Sequence, residues 1–180
     1  MKVVAIVGMT GAGKSEAARV FEEHGFKRVR FGDITDEELN SRGLGPNEEN
    51  ERRIREELRR RYGMAAYAKL SLPKVDDSLE SSDVVVDGLY SWEEYTLLKE
   101  HYGERLNVLA VWASPATRHA RLVHRAKRAL TPEEAVGRDR SEIENTNKGG
   151  PIAMADFTIL NENSLEKLRR ETERVLSTLR

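Results

Sequence analysis

The sequence predicts an α/β protein with a parallel sheet covered by helices on both faces, and three observations carry that prediction. Short β-branched runs recur along the 180 residues. Stretches with a single helical apolar stripe separate them, which is the alternation a parallel sheet requires. The first run leads directly into Gly8-Met9-Thr10-Gly11-Ala12-Gly13-Lys14-Ser15, which fills every position of the phosphate-loop pattern G-x-x-x-x-G-K-[ST] between a strand and a helix.

Taken in order, residues 2–7 form an apolar run suited to a strand buried on both faces. Residues 16–24 place Ala17, Val20 and Phe21 on one helical stripe. Residues 26–31 alternate apolar and basic, as a strand near a sheet edge does, and end in Gly32-Asp33. From 35 to 71 the pattern is helical and polar. A short helix is predicted near 36–41, a break at Gly43-Leu44-Gly45-Pro46, a longer helix over about 47–62, and another over 64–70 that stops before Pro73. Residues 83–87 read as a buried strand closed by Gly88, residues 92–101 as a helix and residues 106–113 as a strand. Ser114-Pro115 opens an arginine-rich helix to about residue 129, and Thr131-Pro132-Glu133-Glu134 starts another with capping-box spacing. A glycine-bearing loop is expected over 142–151 and a last strand over 156–161. Ser164 then caps a helix with Leu165, Leu168, Val175, Leu176 and Leu179 near one stripe. No repeat or low-complexity linker interrupts the chain, so one domain over 1–180 is expected.

Composition narrows the function classes. With no cysteine, neither a disulfide framework nor a thiolate metal site can form, in keeping with a reducing cytosol. No stretch approaches the about 18 apolar residues of a membrane span, and the amino terminus reads as a core strand rather than a signal peptide. A cytoplasmic protein with no membrane partner is expected. Net charge is −1 although 34% of residues are charged, so no overall basic field draws the chain to nucleic acid. The expected partner is a small molecule, with the chain a monomer or homodimer. Two arginine clusters stand out, one at Arg52, Arg53, Arg55, Arg59, Arg60 and Arg61, the other at Arg118, Arg121, Arg125, Lys127 and Arg128.

The motif residues define the chemistry. Gly8, Gly11 and Gly13 let the chain wrap a phosphate with amides pointing inward, and the following helix adds its positive end. The loop through Met9, Thr10 and Ala12 to Glu16 is thus expected to hold ATP phosphates. Lys14 reaches the β- and γ-phosphates, and the Ser15 hydroxyl is a ligand for Mg²⁺. Asp87 falls at the carboxyl edge of its strand, where it either binds Mg²⁺ or caps the next turn. Asp33, at another strand end, is either a proton acceptor for a substrate hydroxyl or a helix cap. Arg118, Arg121, Arg125 and Arg128 recur at helical spacing, with Arg138 and Arg140 on the next helix. They form either a phosphate-stabilising lid or a solvated basic face.

Other features carry less chemistry. His119 and His124, five apart, do not stack for a zinc site. Trp92, Tyr95 and Tyr102 read as packing more readily than as a base platform. Asn147-Lys148-Gly149-Gly150 lacks the carboxylate a guanine-reading motif needs at its fourth position.

These residues resemble the P-loop small-molecule kinases of the nucleoside monophosphate kinase superfamily, and most closely the dephospho-CoA-kinase-like proteins of archaea and bacteria. The resemblance rests on the loop itself, Arg30-Phe31-Gly32-Asp33, Arg61-Tyr62-Gly63-Met64-Ala65-Ala66, Val86-Asp87-Gly88 and the ending Ala155-Asp156-Phe157-Thr158-Ile159-Leu160-Asn161. It implies a three-layer fold with a five-stranded parallel sheet in the order 2-3-1-4-5, an acceptor-binding insertion at about 35–80 and a lid at about 115–150. It further implies Asn161 near the nucleotide, Asp87 and Gly88 at the substrate, and Asp33 where those kinases carry their proposed base. Arg59 and Arg60 in the insertion suit an acceptor's phosphate, and Arg121 and Arg125 the transferring group. Two departures stand: Phe31 replaces the first aspartate of the kinases' D-x-D, and Leu89-Tyr90-Ser91 follows Gly88 where adenylate-type kinases carry an aromatic residue, proline and arginine. An ATP- and Mg²⁺-dependent phosphotransferase with a nucleotide-type acceptor is therefore expected, against a nucleoside monophosphate kinase or a nucleotide-dependent switch ATPase.

Overall fold

The computed structural model describes residues 1–126 and 128–179; Lys127, a member of the second basic cluster, lies outside the described residues. Five strands, β1 (Val3–Val7), β2 (Lys27–Arg30), β3 (Val84–Leu89), β4 (Leu106–Trp112) and β5 (Phe157–Leu160), pair in parallel in the order β2-β3-β1-β4-β5. This is the sheet of the P-loop kinase fold.

The period-two alternation of β1 divides the core into two layers. Val3, Ala5 and Val7 face one side, with Phe31, Tyr67, Val75 and Leu98. Val4 and Ile6 face the other, with Phe21, Leu168 and Leu176 from α1 (Lys14–Glu23) and α9 (Leu165–Leu179). Each fully buried valine, leucine, isoleucine or phenylalanine among them stabilises the fold by roughly 1.5–3 kcal/mol. After β2 the chain forms α2 (Asp33–Ser41), α3 (Glu48–Tyr62) and α4 (Ala66–Leu79). After β3 come α5 (Trp92–Tyr102), β4, α6 (Pro115–Val123), α7 (Pro132–Glu144) and the short α8 (Gly149–Ala153). From β1 the chain heads toward the β2 edge, and after β3 it crosses to β4. The carboxyl ends of β1 and β3 therefore flank the crevice where open α/β sheets bind ligands.

Local signals act as expected at several helix starts. Asn47 and Ser91 cap α3 and α5, and Thr131 with Glu134 forms a complete capping box on α7. Other boundaries differ from the sequence expectation. α4 runs through Pro73 instead of stopping before it. The carbonyl that loses its partner belongs to exposed Lys69, while Ser71 and Val75 stay buried, so water and core packing offset the missing bond. α6 ends at Val123 rather than near residue 129. The Leu130 amide donates to the Leu122 carbonyl at 3.2 Å, folding the chain back so that Leu122, Leu130 and Ala135 make a small cluster. Arg125 and Arg128 consequently lie beyond the helix and do not continue its face. The expected loop at 142–151 contains the last turn of α7 and the start of α8. Leu165, expected on the buried stripe of α9, is exposed.

Candidate active site

The phosphate loop owes its shape to residues that cannot carry a side chain. A Cβ at Gly8 would overlap the Val111 carbonyl oxygen, and Gly13, at φ +106, is the left-handed residue that starts α1. The Lys14 ammonium folds back over the loop, donating to the Gly8 carbonyl at 2.8 Å and the Met9 carbonyl at 3.1 Å. Burial lowers its pKa, while the charges of Glu142 and Asp87 oppose that shift. Thr10, Gly11, Gly13, Lys14, Ser15 and Glu16 line a cavity of about 800 Å³. Gly8, Met9 and Ala12 are outside its wall. So is Asn161, expected near the nucleotide: its side-chain amide donates to the Ala12 carbonyl at 2.8 Å and braces the loop from behind.

Asp87 lines the same cavity, 3% exposed, with Arg28 of the neighbouring strand at 2.5 Å from its carboxylate. Gly88 makes this placement possible. β1 pairs Ile6 with Asp87 but Val7 with Leu89, so Gly88 is an extra residue in a bulge, at φ +108. The turn-capping alternative for Asp87 is thus replaced by an ion pair. Ser15 and Asp87 are an oxygen donor set suited to Mg²⁺, which takes one or two protein ligands beside phosphates. Among the described residues no cluster of three or more metal-ligating side chains occurs.

Asp33 is not the helix cap that the sequence allows. It is the first residue of α2, whose N-cap is Gly32 with no side-chain cap, and it is not part of the cavity wall. Its carboxylate, 38% exposed, sits 2.6 Å from Arg30 and 3.9 Å from Lys74. Asp36, one turn further, lines the cavity instead and is held by Arg30 and, at 2.7 Å, by Arg128. Although burial opposes its charge, Asp33 and Asp36 hold the Arg30 pKa above its ordinary value.

The arginines separate in the same way. Arg121, Arg125, Arg128 and Arg138 line the cavity. Arg118 does not: it is buried on Asp139 in a two-point pair at 2.6 and 2.7 Å. Arg140 is exposed and pairs with Glu144. Arg59 lines the cavity with its guanidinium 5.5 Å above the Tyr67 ring, whereas Arg60 is exposed on another face of α3 and takes no part in the wall. Two cavity-lining guanidiniums retain buried nitrogens without partners among the described residues, Nε of Arg59 and Nη1 of Arg121.

With this geometry in place, known proteins resemble the chain at two levels. Residues 4–146 match the AAA domain family. A UPF0200 protein of Thermococcus sibiricus is 35% identical over 98% of the chain and 95% of its own length. The chain belongs to the UPF0200 family. At the level of fold, the UPF0200 chain is similar to a gluconokinase from Sinorhizobium meliloti, with a TM-score of 0.64 and 16% identity over 99% of this chain and 93% of that one. It is also similar to the dephospho-CoA kinase from Campylobacter jejuni, with a TM-score of 0.57 and 17% identity over 98% and 96%.

Sequence reasoning missed several members of this candidate site. Tyr67 and Tyr90 meet edge to face at 5.3 Å in the wall, and Glu142 and Lys148 form a buried pair at 2.9 Å beside the phosphate loop. Glu142 was concealed by the expectation of a loop at its position. Lys148 was visible only as part of an incomplete guanine motif. No helix among the described residues is long and apolar enough to cross a membrane.

Proposed function

We propose that this UPF0200 protein is an ATP- and Mg²⁺-dependent phosphotransferase acting on a nucleotide-type small molecule, with dephospho-CoA kinase the activity it resembles most. One observation carries the proposal. The cavity is lined both by Lys14 and Ser15 of the phosphate loop and by Arg59 and Tyr67 of the helical insertion. A switch ATPase needs the loop but no second compartment. This wall supplies a compartment basic enough for an anionic acceptor.

In this reading Lys14 and the loop amides hold the donor phosphates, and Ser15 and Asp87 hold Mg²⁺. When bound there, the ion would neutralise negative charge on the donor phosphates. Arg121 and Arg125 stabilise the transferring group, and Arg59 takes a phosphate of the acceptor. Gly88, which itself lines the cavity, sets the position of Asp87 beside the substrate. Asp33 is assigned to orienting Arg30.

A second reading, a nucleoside monophosphate acceptor, is favoured by one feature: Asp36, Asp87 and Glu142 in the wall are all paired with cations. Carboxylates paired in this way are poor bases, and an acceptor that is already ionised needs none. The test is an acceptor screen with ATP that includes dephospho-CoA, each nucleoside and deoxynucleoside monophosphate, and a control without acceptor. ADP production that no acceptor increases would replace the kinase with an ATPase.

A further inference from the structure

Glu142 makes an unusual contact with the phosphate loop. Its carboxylate accepts from the Thr10 amide at 3.1 Å and from the Thr10 hydroxyl at 2.5 Å. The same two oxygens are held by Lys148 at 2.9 Å and Arg138 at 3.1 Å. Burial alone would raise the pKa of Glu142; Lys148 and Arg138 instead hold it well below the carboxylate range. An anion of the chain itself therefore occupies a loop donor, in a motif whose amides serve phosphate oxygens.

Lys148 is almost wholly buried, at the cavity wall. It is 2% exposed and lies 5.3 Å from the centre of the Tyr90 ring. The turn that delivers it is anchored to the carbonyl of the same glutamate, which accepts from the Thr146 hydroxyl at 2.6 Å and from the Lys148 amide at 3.2 Å. Burial lowers the Lys148 pKa to about 7, with Glu142 opposing that shift. Lys14, Arg138 and Lys148 thus converge on one carboxylate at the phosphate loop, where the anions of a bound polyphosphate would find all three cations.

We infer that Lys148 is a further phosphate-binding residue, held beside the loop by Glu142, whose carboxylate takes a phosphate's place at Thr10 until a bound polyphosphate displaces it. The inference rests on the nucleotide-binding half of the function proposed above. On displacement, Thr10 regains a free amide and hydroxyl, and Lys148 and Arg138 exchange a carboxylate partner for phosphate oxygens. Because Arg138 also pairs with Glu48 at 2.7 Å, the exchange is felt in the acceptor insertion.

The experiment is calorimetric titration of the full chain with tripolyphosphate and with ATP. Glu142→Gln removes the competing charge and should bind both tighter by on the order of tenfold, since a unit charge a few ångströms away in a partly buried site outweighs one hydrogen bond. Adding Lys148→Met to that variant should abolish the gain. Unchanged or weaker binding by Glu142→Gln would make the carboxylate a fixed scaffold of the loop and overturn the inference. A gain that survives Lys148→Met would overturn the role of Lys148. If Glu142→Gln does not fold, Lys148→Met alone should weaken tripolyphosphate binding by roughly tenfold through loss of a charge-assisted contact; unchanged binding counts against the inference. Lys14→Ala separates the two levels. If it binds tripolyphosphate as the parent does, the anion is not at the loop and the proposed function fails; if it loses binding while Glu142→Gln gains nothing, only the exchange fails.

Discussion

Glu94 offers a sharp test of the electrostatics behind this core. It lies in the first turn of α5, fully buried, where one carboxylate oxygen accepts from the Tyr90 amide at 2.8 Å and the other has no partner among the described residues. Burial raises its pKa from 4.5 to about 7; the Tyr90 amide and the charges of Arg59 and Lys148 recover part of the cost of ionisation. The sign follows from proton counting. The folded state holds a proton that the unfolded state releases, so the stabilisation is complete below pH 4.5 and is lost as pH rises through 7. A rise of this size corresponds to about 3 kcal/mol. Glu94→Gln keeps the acceptor for the Tyr90 amide but cannot ionise, so it should gain on the parent by about that amount between pH 5 and pH 8. In a chain of this length the gain is roughly 6–12 °C in melting temperature. The assay is denaturant unfolding of both proteins at several pH values. A stability difference that stays constant across that range would refute an ionisation at Glu94 and the buried environment assigned to it.

Three further outcomes are expected. Lys14→Ala should lower kcat/KM for phosphoryl transfer by about 10²-fold or more while the melting temperature changes little, because in the free protein its ammonium bonds only loop carbonyls; near-normal turnover would remove the phosphate-loop assignment. Gly88→Ala should destabilise the fold by about 2–4 kcal/mol in denaturant unfolding, because at φ +108 the added Cβ would meet the Tyr90 hydroxyl oxygen at 2.6 Å. Asp33→Asn should leave the rate of the chemical step within about threefold, since its carboxylate stands outside the cavity wall and Arg30, which does line the cavity, keeps Asp36 as a partner; a single-turnover fall of roughly 10² to 10⁴ would restore it as the base.

What the sequence determined by itself was the scaffold and one wall of the site. The β-branched runs, the alternating helices and the glycine pattern of residues 8–15 depend on neighbours within a few positions, so the strands, the loop and most helix starts could be read from them. The strand order 2-3-1-4-5 came with the resemblance those segments carry. Tertiary structure decided which face each polar residue presents. Asp33 and Asp36 lie one turn apart on α2, yet only Asp36 reaches the cavity; Arg59 and Arg60 are adjacent, yet only Arg59 does. α6 stops early because Leu130 returns to Leu122, a contact across a turn that no helical period encodes. Glu142 meets Thr10 across 132 residues of chain, and Lys148 joins them only because α7 docks against the loop. Such long-range charge pairing has no local signal, since a buried lysine or glutamate becomes tolerable only once folding supplies its partner.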